Sequence, residues 1–600
     1  MKGRLLLLTP PLVQTNCPYP ATMHLTGYLR GLGFAVEQRD LSIKVALDVL
    51  REYGDETTDE LLELLQNPVV PPEAKREAGA VIDELAIWIR DNVDDQFGFS
   101  RYAERISASA ANFGDVERLV RRKGVIDRPL ERHLEAAIRE TRPTMVGVTC
   151  PFPGTLVGAF KIARYLKRKH PQIRTVLGGG FVNTELRDMT DPRPRKYFDE
   201  IVFDEGYQPL ARLLGVDARS GTARAPWGGD GARSGTARAP WGDARQGARS
   251  VPDRAIPPVV KPDYGGIDFG EYFDVVETDN PMHRLWSSGR WLRLVMARGC
   301  YWHKCAFCDV RLPYIGCFEM PDPKTVVDAM EALAGGRTED ARRETGVGGR
   351  KTEQSRETGL EPGFHFVDEA MPPALVRGVS EEIVRRKFRC AWWGNVRFDA
   401  SFTPELAKLM AKAGCIAVTG GLECADDRLL KLMNKGITLK SAQAAMTAFH
   451  DAGIMVHAYL MYGFPTETER EAMGALKFVR DLFRQDLVQS AFWHRFALTV
   501  HSPIAAEPEK FGIKLVANAG TRRPGYVFAR NEIGYDEPDA PDWERIGRVL
   551  NLALYNYLEG RGLGKSIAYW QRVCSKPKFV ERMESPRGSR VDSTGKWSCL

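Results

Sequence analysis

The segment Arg298-Gly299-Cys300-Tyr301-Trp302-His303-Lys304-Cys305-Ala306-Phe307-Cys308 carries its thiols in the spacing C-x4-C-x2-C. Thiolates so close in sequence can close on one face of a metal centre, and such soft ligands select iron–sulfur, zinc or copper(I). Three thiolates on a four-iron cluster leave one iron open to a substrate or cofactor. If Cys317 or His303 adds a fourth ligand, the same loop makes a structural zinc site. The two chemistries belong to different proteins. One is a redox enzyme; the other is a zinc-stabilised module that binds nucleic acid or protein.

The loop needs elements to hold it. The apolar run Leu292–Ala297 precedes it and reads as a strand. Further strands are predicted at Phe364–Val367, Cys390–Gly394, Ile416–Thr419, Met455–Met461 and Trp493–Thr499, separated by amphipathic helices such as Lys324–Ala334, Leu375–Arg386 and Leu439–Ala452. Over residues 285–500 this alternation has the size of a partial (β/α) barrel, whose sites lie at the strand C-termini. Residues 1–215 show the same alternation, with strands at Leu5–Thr9, Phe34–Asp40, Met145–Thr149, Thr175–Leu177 and Ile201–Phe203. A long charged helical stretch, Leu47 to Glu140, interrupts them. The pattern predicts an α/β, Rossmann-like, doubly wound sheet that takes ligands beyond its strand C-termini. Pro10, Thr149 and the triple Gly178-Gly179-Gly180 stand at those ends, and glycine there admits close backbone approach.

Residues 216–284 read as a low-complexity linker and connector. Within them ARSGTARAPWG occurs at Ala218–Gly228 and again at Ala232–Gly242, with too few aliphatics to bury a core. A second repeat, at 335–360, reads as a solvated loop expansion of the barrel. Residues 501–600 are expected to be mainly helical with a polar tail. A net charge of +6 on 600 residues is too dilute for a dedicated nucleic-acid binder. With 43% hydrophobic residues the chain is globular, and no apolar run approaches the roughly 18 residues of a membrane span. Eleven cysteines, an odd number, with no export signal point to reduced thiols and a cytoplasmic location.

The thiol loop, with Phe307 directly before Cys308, resembles the cluster loop of radical SAM enzymes. It has one residue more between its first two cysteines than the family's usual C-x3-C-x2-C. Four further segments match the family in order: Phe366-Val367-Asp368-Glu369, the strand end carrying Arg397, Gly420-Gly421-Leu422-Glu423 with LLKLMNKG at Leu429–Gly436, and VHAYLMYGFP at Val456–Pro465. Residues 1–215 are similar to the cobalamin-binding domain that precedes the barrel in one large group of that family. The carriers are Thr9-Pro10-Pro11, Pro18-Tyr19-Pro20-Ala21-Thr22, Val146–Pro151, Gly178–Glu185 and FDEIVFDEG at Phe198–Gly206. No Asp-x-His-x-x-Gly is present, so no cobalt ligand is named. The resemblance implies a [4Fe–4S] cluster on Cys300, Cys305 and Cys308, with S-adenosylmethionine (SAM) near Phe307, Asp368, Glu369, Arg397 and Glu423. Cobalamin would lie against Pro10, Thr149 and Gly178–Gly180. It further implies SAM cleavage, methyl transfer to carbon, a small-molecule or peptide substrate and an electron donor such as flavodoxin or ferredoxin. A barrel enzyme whose N-terminal sheet holds no cobalamin is the other outcome.

Overall fold

The run Leu5-Leu6-Leu7-Leu8 is apolar without alternation, as a strand covered on both faces requires. In the computed structural model it forms β1 (Arg4–Thr9). Leu6 and Leu8 enter one hydrophobic cluster, and Leu5 and Leu7 enter another on the opposite face. The structure describes residues 3–67, 70, 72–110, 112–215, 259–275, 280–287, 291–344, 362–516 and 526–575. These fall into two units. Both copies of ARSGTARAPWG and residues 345–360 lie outside the described residues.

In the first unit β1 is followed by β2 (Ala35–Asp40), the small hairpin of β3 (Phe97–Gly98) and β4 (Arg101–Tyr102), then β5 (Met145–Thr149), β6 (Arg174–Gly178) and β7 (Glu200–Ile201). The main sheet has the order β2-β1-β5-β6-β7 and is parallel throughout. Strand order reverses between β1 and β5, so the ligand crevice of such a sheet opens at Pro10 and Thr149. The stretch expected to be one long helical region divides into helices at Leu41–Tyr53, Thr58–Gln66, Pro72–Asn92, Glu104–Ala108, Phe113–Arg121 and Asp127–Thr141. Their buried faces supply much of the larger cluster.

Two later segments complete this unit. Tyr272 and Phe273, from the expected connector, are buried in its core, and the Phe273 N–H donates to Thr15 O (3.0 Å). Residues 526–531, from the expected helical C-terminal region, also belong here. Phe528 is fully buried, with its ring centroid 5.0 Å from that of Phe113. The Thr190 N–H donates to Val527 O (2.8 Å) and the Arg530 N–H to Glu185 O (2.7 Å).

The second unit holds β8 (Leu292–Leu294), a two-residue ribbon of β9 (Arg298–Gly299) and β10 (Phe318–Glu319), then β11 (Gly363–Phe366), β12 (Ala391–Val396), β13 (Cys415–Glu423), β14 (Met455–Tyr462) and β15 (Ser490–Arg495). Six parallel strands run in chain order from β8 at one edge to β15 at the other, an open arc of barrel. Side chains that share a face line up in register: His365 beside Trp393, and Thr419 beside His457. The helix predicted to end at Ala334 continues to Glu344. The first copy of the repeat at 335–360 therefore starts as helix instead of loop, because its Ala, Arg and Glu residues are strong helix formers. The last barrel strand lies a few residues earlier than predicted, at Ser490–Arg495. Beyond it come two short helical turns, the helices Trp543–Leu558 and Ile567–Cys574, and a small antiparallel pair at Lys514–Leu515 and Tyr535–Asp536.

Candidate cluster and cofactor sites

Asp368 lies two residues past the end of β11 and is 2% exposed. Its carboxylate accepts from the Met296 N–H (2.8 Å) and the Ala297 N–H (2.6 Å). Burial pushes its pKa up to about 7, against the pull of those two amides. Asp368 is thus committed to the backbone that enters the thiol loop, while the neighbouring Glu369 faces solvent. Protein mass around Glu369 raises its carboxyl, and it lies close enough to Cys308 to act on that thiol.

Cys300, Cys305 and Cys308 are all free thiols; Cys305 is buried and the other two are half-buried. The two candidates for a fourth ligand are turned elsewhere. His303 is exposed with Nδ1 2.9 Å from Cys300 O, and the Cys317 thiol donates to Tyr314 O (3.5 Å). Among the described residues no three His, Cys, Asp or Glu side chains gather as ligands of one metal ion. A four-iron cluster poses a different requirement, since each thiolate binds its own iron. Three free thiols on one loop, with buried cations beside them, fit that requirement. The Arg397 guanidinium, 4% exposed, lies 4.0 Å from Cys305 Sγ. Burial raises the Cys305 thiol, and Lys435 and Arg397 oppose that rise.

The turn after the helix Asp427–Leu432 grips the loop residue by residue. The Ala306 N–H donates to Met433 O (2.8 Å), Asn434 Nδ2 donates to Lys304 O (3.0 Å), and Trp302 Nε1 donates to Asn434 O (2.8 Å). Arg397 donates to Lys435 O, and its guanidinium lies 4.6 Å from the centre of the Trp302 ring. Gly436 has φ +73°, and a Cβ there would stand 2.1 Å from Trp302 Cζ2. No other residue type lets the ring lie against the backbone.

Glu423, at the end of β13, is held by Lys435, whose Nζ donates to its carboxylate (2.6 Å). Both are buried. Burial pulls the Lys435 pKa down, but Glu423 and Cys305 outweigh it and the net shift is upward. Lys435 Nζ also sits 5.6 Å from the Phe307 ring centre. The loop, Phe307, Arg397 and Glu423 are therefore one connected cluster of contacts. Asp368 supports it from below. Lys435, Trp302 and Asn434 were not singled out from sequence for these roles. The available signal was the pair Asn434 and Gly436 after an apolar helix, which marks a turn with left-handed backbone.

One further carboxyl backs the site. Glu467, 2% exposed, accepts from the N–H groups of Gly463 (2.7 Å) and Phe464 (3.1 Å). Burial raises its pKa to about 8. The aromatic group near the last strand divides by role: Trp493 is fully buried and Phe496 is in the core, while Phe492 packs edge-on to His494 with centroids 4.5 Å apart.

In the first unit, Pro10 and Thr149 are buried at the switch point. Thr149 Oγ1 is buried without a hydrogen-bond partner among the described residues. Gly179 has φ +116°, and a Cβ there would meet Cys150 N and O at 2.6 Å. Glycine there lets the backbone after β6 pack directly on the backbone of Cys150 and Pro151. Burial pushes the Cys150 thiol up to about 12, and Thr155 Oγ1 donates to it (3.4 Å). The unsatisfied hydroxyl of Thr149 at the switch point fits a polar ligand such as a corrinoid.

Fold and site define a protein with a doubly wound ligand-binding domain and a thiol-loop barrel. A model of the radical SAM superfamily matches residues 381–479, and a model of the B12 binding domain matches residues 115–214. The chain thus carries a radical SAM domain, of the kind that takes a [4Fe–4S] cluster and SAM, and a B12-binding domain, of the kind that takes cobalamin. It is 26% identical over 361 residues to the anaerobic magnesium-protoporphyrin IX monomethyl ester cyclase of Rubrivivax gelatinosus, covering 58% of this chain and 56% of that protein. It is 24% identical over 348 residues to an uncharacterized methyltransferase of Pyrococcus horikoshii, covering 58% of this chain and 66% of that one. The chain therefore spans less than two thirds of the length of these relatives. Its fold is similar to that of TsrM, a radical SAM methyltransferase of Kitasatospora setae, with TM-score 0.52, 16% identity, and 95% and 98% of the two chains covered. No helix among the described residues is long and apolar enough to cross a membrane.

Proposed function

We propose that the chain is a cobalamin-dependent radical SAM methyltransferase acting on an unactivated carbon of a small molecule or peptide. The observation that carries the reading is the thiol loop: three free cysteines at the end of the first barrel strand, clamped by the turn 433–436 and flanked by Arg397. In this reading Cys300, Cys305 and Cys308 hold the cluster. Glu369, open to solvent near Cys308, receives the SAM ammonium, and Arg397 and Glu423 orient the rest of the ligand by charge-assisted hydrogen bonds. Phe307 walls the loop. Thr149 Oγ1 and the Gly178–Gly180 backbone hold cobalamin at the switch point beside Pro10. When bound, the cofactors supply hydrogen abstraction and a transferable methyl group; the protein supplies their orientation. An electron donor of the flavodoxin or ferredoxin kind provides the reducing equivalent. Methyl transfer is preferred because one relative is named a methyltransferase.

The test is anaerobic reconstitution with iron, sulfide and hydroxocobalamin, then metal analysis and an assay for 5′-deoxyadenosine with reductant and SAM. The reading expects about four irons per chain, together with bound cobalt and SAM cleavage that is lost in Cys305→Ala. Cleavage without cobalt retains the barrel chemistry and removes the cobalamin role. Tightly held zinc with no cleavage overturns the reading.

A further inference from the structure

The Glu423–Lys435 pair is a buried ion pair at the cluster loop, and the reading above gives Lys435 no part. Lys435 Nζ is 2.6 Å from the Glu423 carboxylate and 5.6 Å from the centre of the Phe307 ring. Its carbonyl receives Arg397, whose guanidinium is 4.0 Å from Cys305 Sγ. Lys435 and Arg397 both act electrostatically on Cys305. Lys435 and Glu423 are 7% and 8% exposed, so salt does little to screen them. The potential of a thiolate-held cluster depends on net charge, hydrogen bonds to sulfur and solvent access. The turn 433–436 supplies one of the buried charges and, through the Lys435 carbonyl, holds the guanidinium that faces Cys305 Sγ.

We propose that this pair sets the reduction potential of the cluster: Lys435 raises it and Glu423 lowers it. The inference rests on the assignment of Cys300, Cys305 and Cys308 as cluster ligands. Reduction adds one electron from a low-potential one-electron donor and makes or breaks no bond. The reduced state carries one more negative charge, which a buried ammonium stabilises and a buried carboxylate destabilises. The pair also keeps each charge from standing alone, which would cost more than either contributes.

The experiment uses the full chain, reconstituted anaerobically without SAM and titrated with dithionite while the reduced cluster is followed by electron paramagnetic resonance. Lys435→Gln is expected to shift the one-electron equilibrium about tenfold toward the oxidised state, a fall of about 59 mV. Glu423→Gln is expected to shift it the other way. The double variant returns towards wild type, and Lys435→Arg retains the wild-type value. A structural role alone would move both single variants in one direction through a loosened loop. Equal iron content with unmoved potentials, or shifts of the same sign, overturns the proposal. Should Lys435→Gln fail to load iron, Glu423→Gln and Lys435→Arg decide: a rise in the first and none in the second supports the proposal, and no rise refutes it. Wild-type protein that holds no cluster would instead sink the assignment of the thiols.

Discussion

Gly436→Ala is the most economical perturbation of the thiol loop, because it adds one methyl group at a distance from every candidate ligand. At φ +73° an alanine pays about 1–2 kcal/mol for left-handed backbone. Its Cβ would lie 2.1 Å from Trp302 Cζ2, where carbon atoms rest at about 3.5 Å, so the ring must retreat by about 1.4 Å. That motion breaks the Trp302 Nε1 bond to Asn434 O, worth about 1 kcal/mol. It also draws the ring away from Arg397, a cation–π contact of about 0.5–2 kcal/mol. The local loss is about 3–5 kcal/mol on these magnitudes. The assay is iron content after anaerobic reconstitution, paired with urea unfolding of the full chain. Less iron is expected, with an earlier transition of the barrel unit. Gly474→Ala is the control: it lies in the helix Glu469–Arg484 with nothing within 4 Å of the added Cβ, and alanine there should stabilise by about 0.4–1 kcal/mol. If Gly436→Ala loads full iron and unfolds at the wild-type midpoint, the account of the clamp is refuted.

Other outcomes follow from the same structure. Gly179→Ala should destabilise the first unit by about 3 kcal/mol or more and abolish cobalamin retention, since its Cβ meets backbone that cannot yield. Gly178→Ala, with its nearest contact at 3.4 Å, should fold normally; a thermal melt of each variant separates the two. Phe528→Ala should cost about 3–5 kcal/mol in the first unit, read as an earlier transition in its near-ultraviolet signal with the iron content intact. Glu467 titrates at about 8 in the folded chain against 4.5 in the unfolded one, so the folded state holds the extra proton between those values. Its contribution is therefore fully present at acid pH and is lost as pH rises through 8. Glu467→Gln, which keeps an acceptor for both amides, should gain stability relative to wild type by up to about 4 kcal/mol between pH 5 and 8.5. Parallel pH profiles of the two urea midpoints would count against a neutral Glu467.

Much of both sheets was readable from sequence because strands such as β1 and β5 are buried on both sides and announce themselves as short apolar runs. The strand at Leu5–Thr9 and the positions of most barrel strands came from that pattern. One boundary moved because local preference prevailed over the repeat's loop-like composition: the helix past Ala334 ran on through residues that favour helix. The thiols and the strand-end carboxylates were visible as residue types, but their commitments were not. Asp368 and Glu369 are adjacent in sequence and opposite in fate, one spent on two amides and one open to water. That division depends on how β8 meets β11, which no local window contains. The grip of residues 433–436 on residues 302–306 joins segments some 130 positions apart. It could only be seen once the turn and the loop were brought together.

The place of Phe528 has a consequence for how the chain is made. The first unit buries that ring between residues from its own early helices, so its core lacks a member until synthesis has passed position 528. The last strand of its sheet, β7, is finished by Ile201. At about 5–20 residues per second the ribosome spends roughly 15–65 s between the two. During that interval Tyr197 and Phe198 already pack against Phe113 and Phe160, but the side of the cluster that Phe528 fills stays open, and a nascent sheet in that state is a substrate for chaperones. A gene fragment ending at residue 215 or 284 would freeze the protein at that stage.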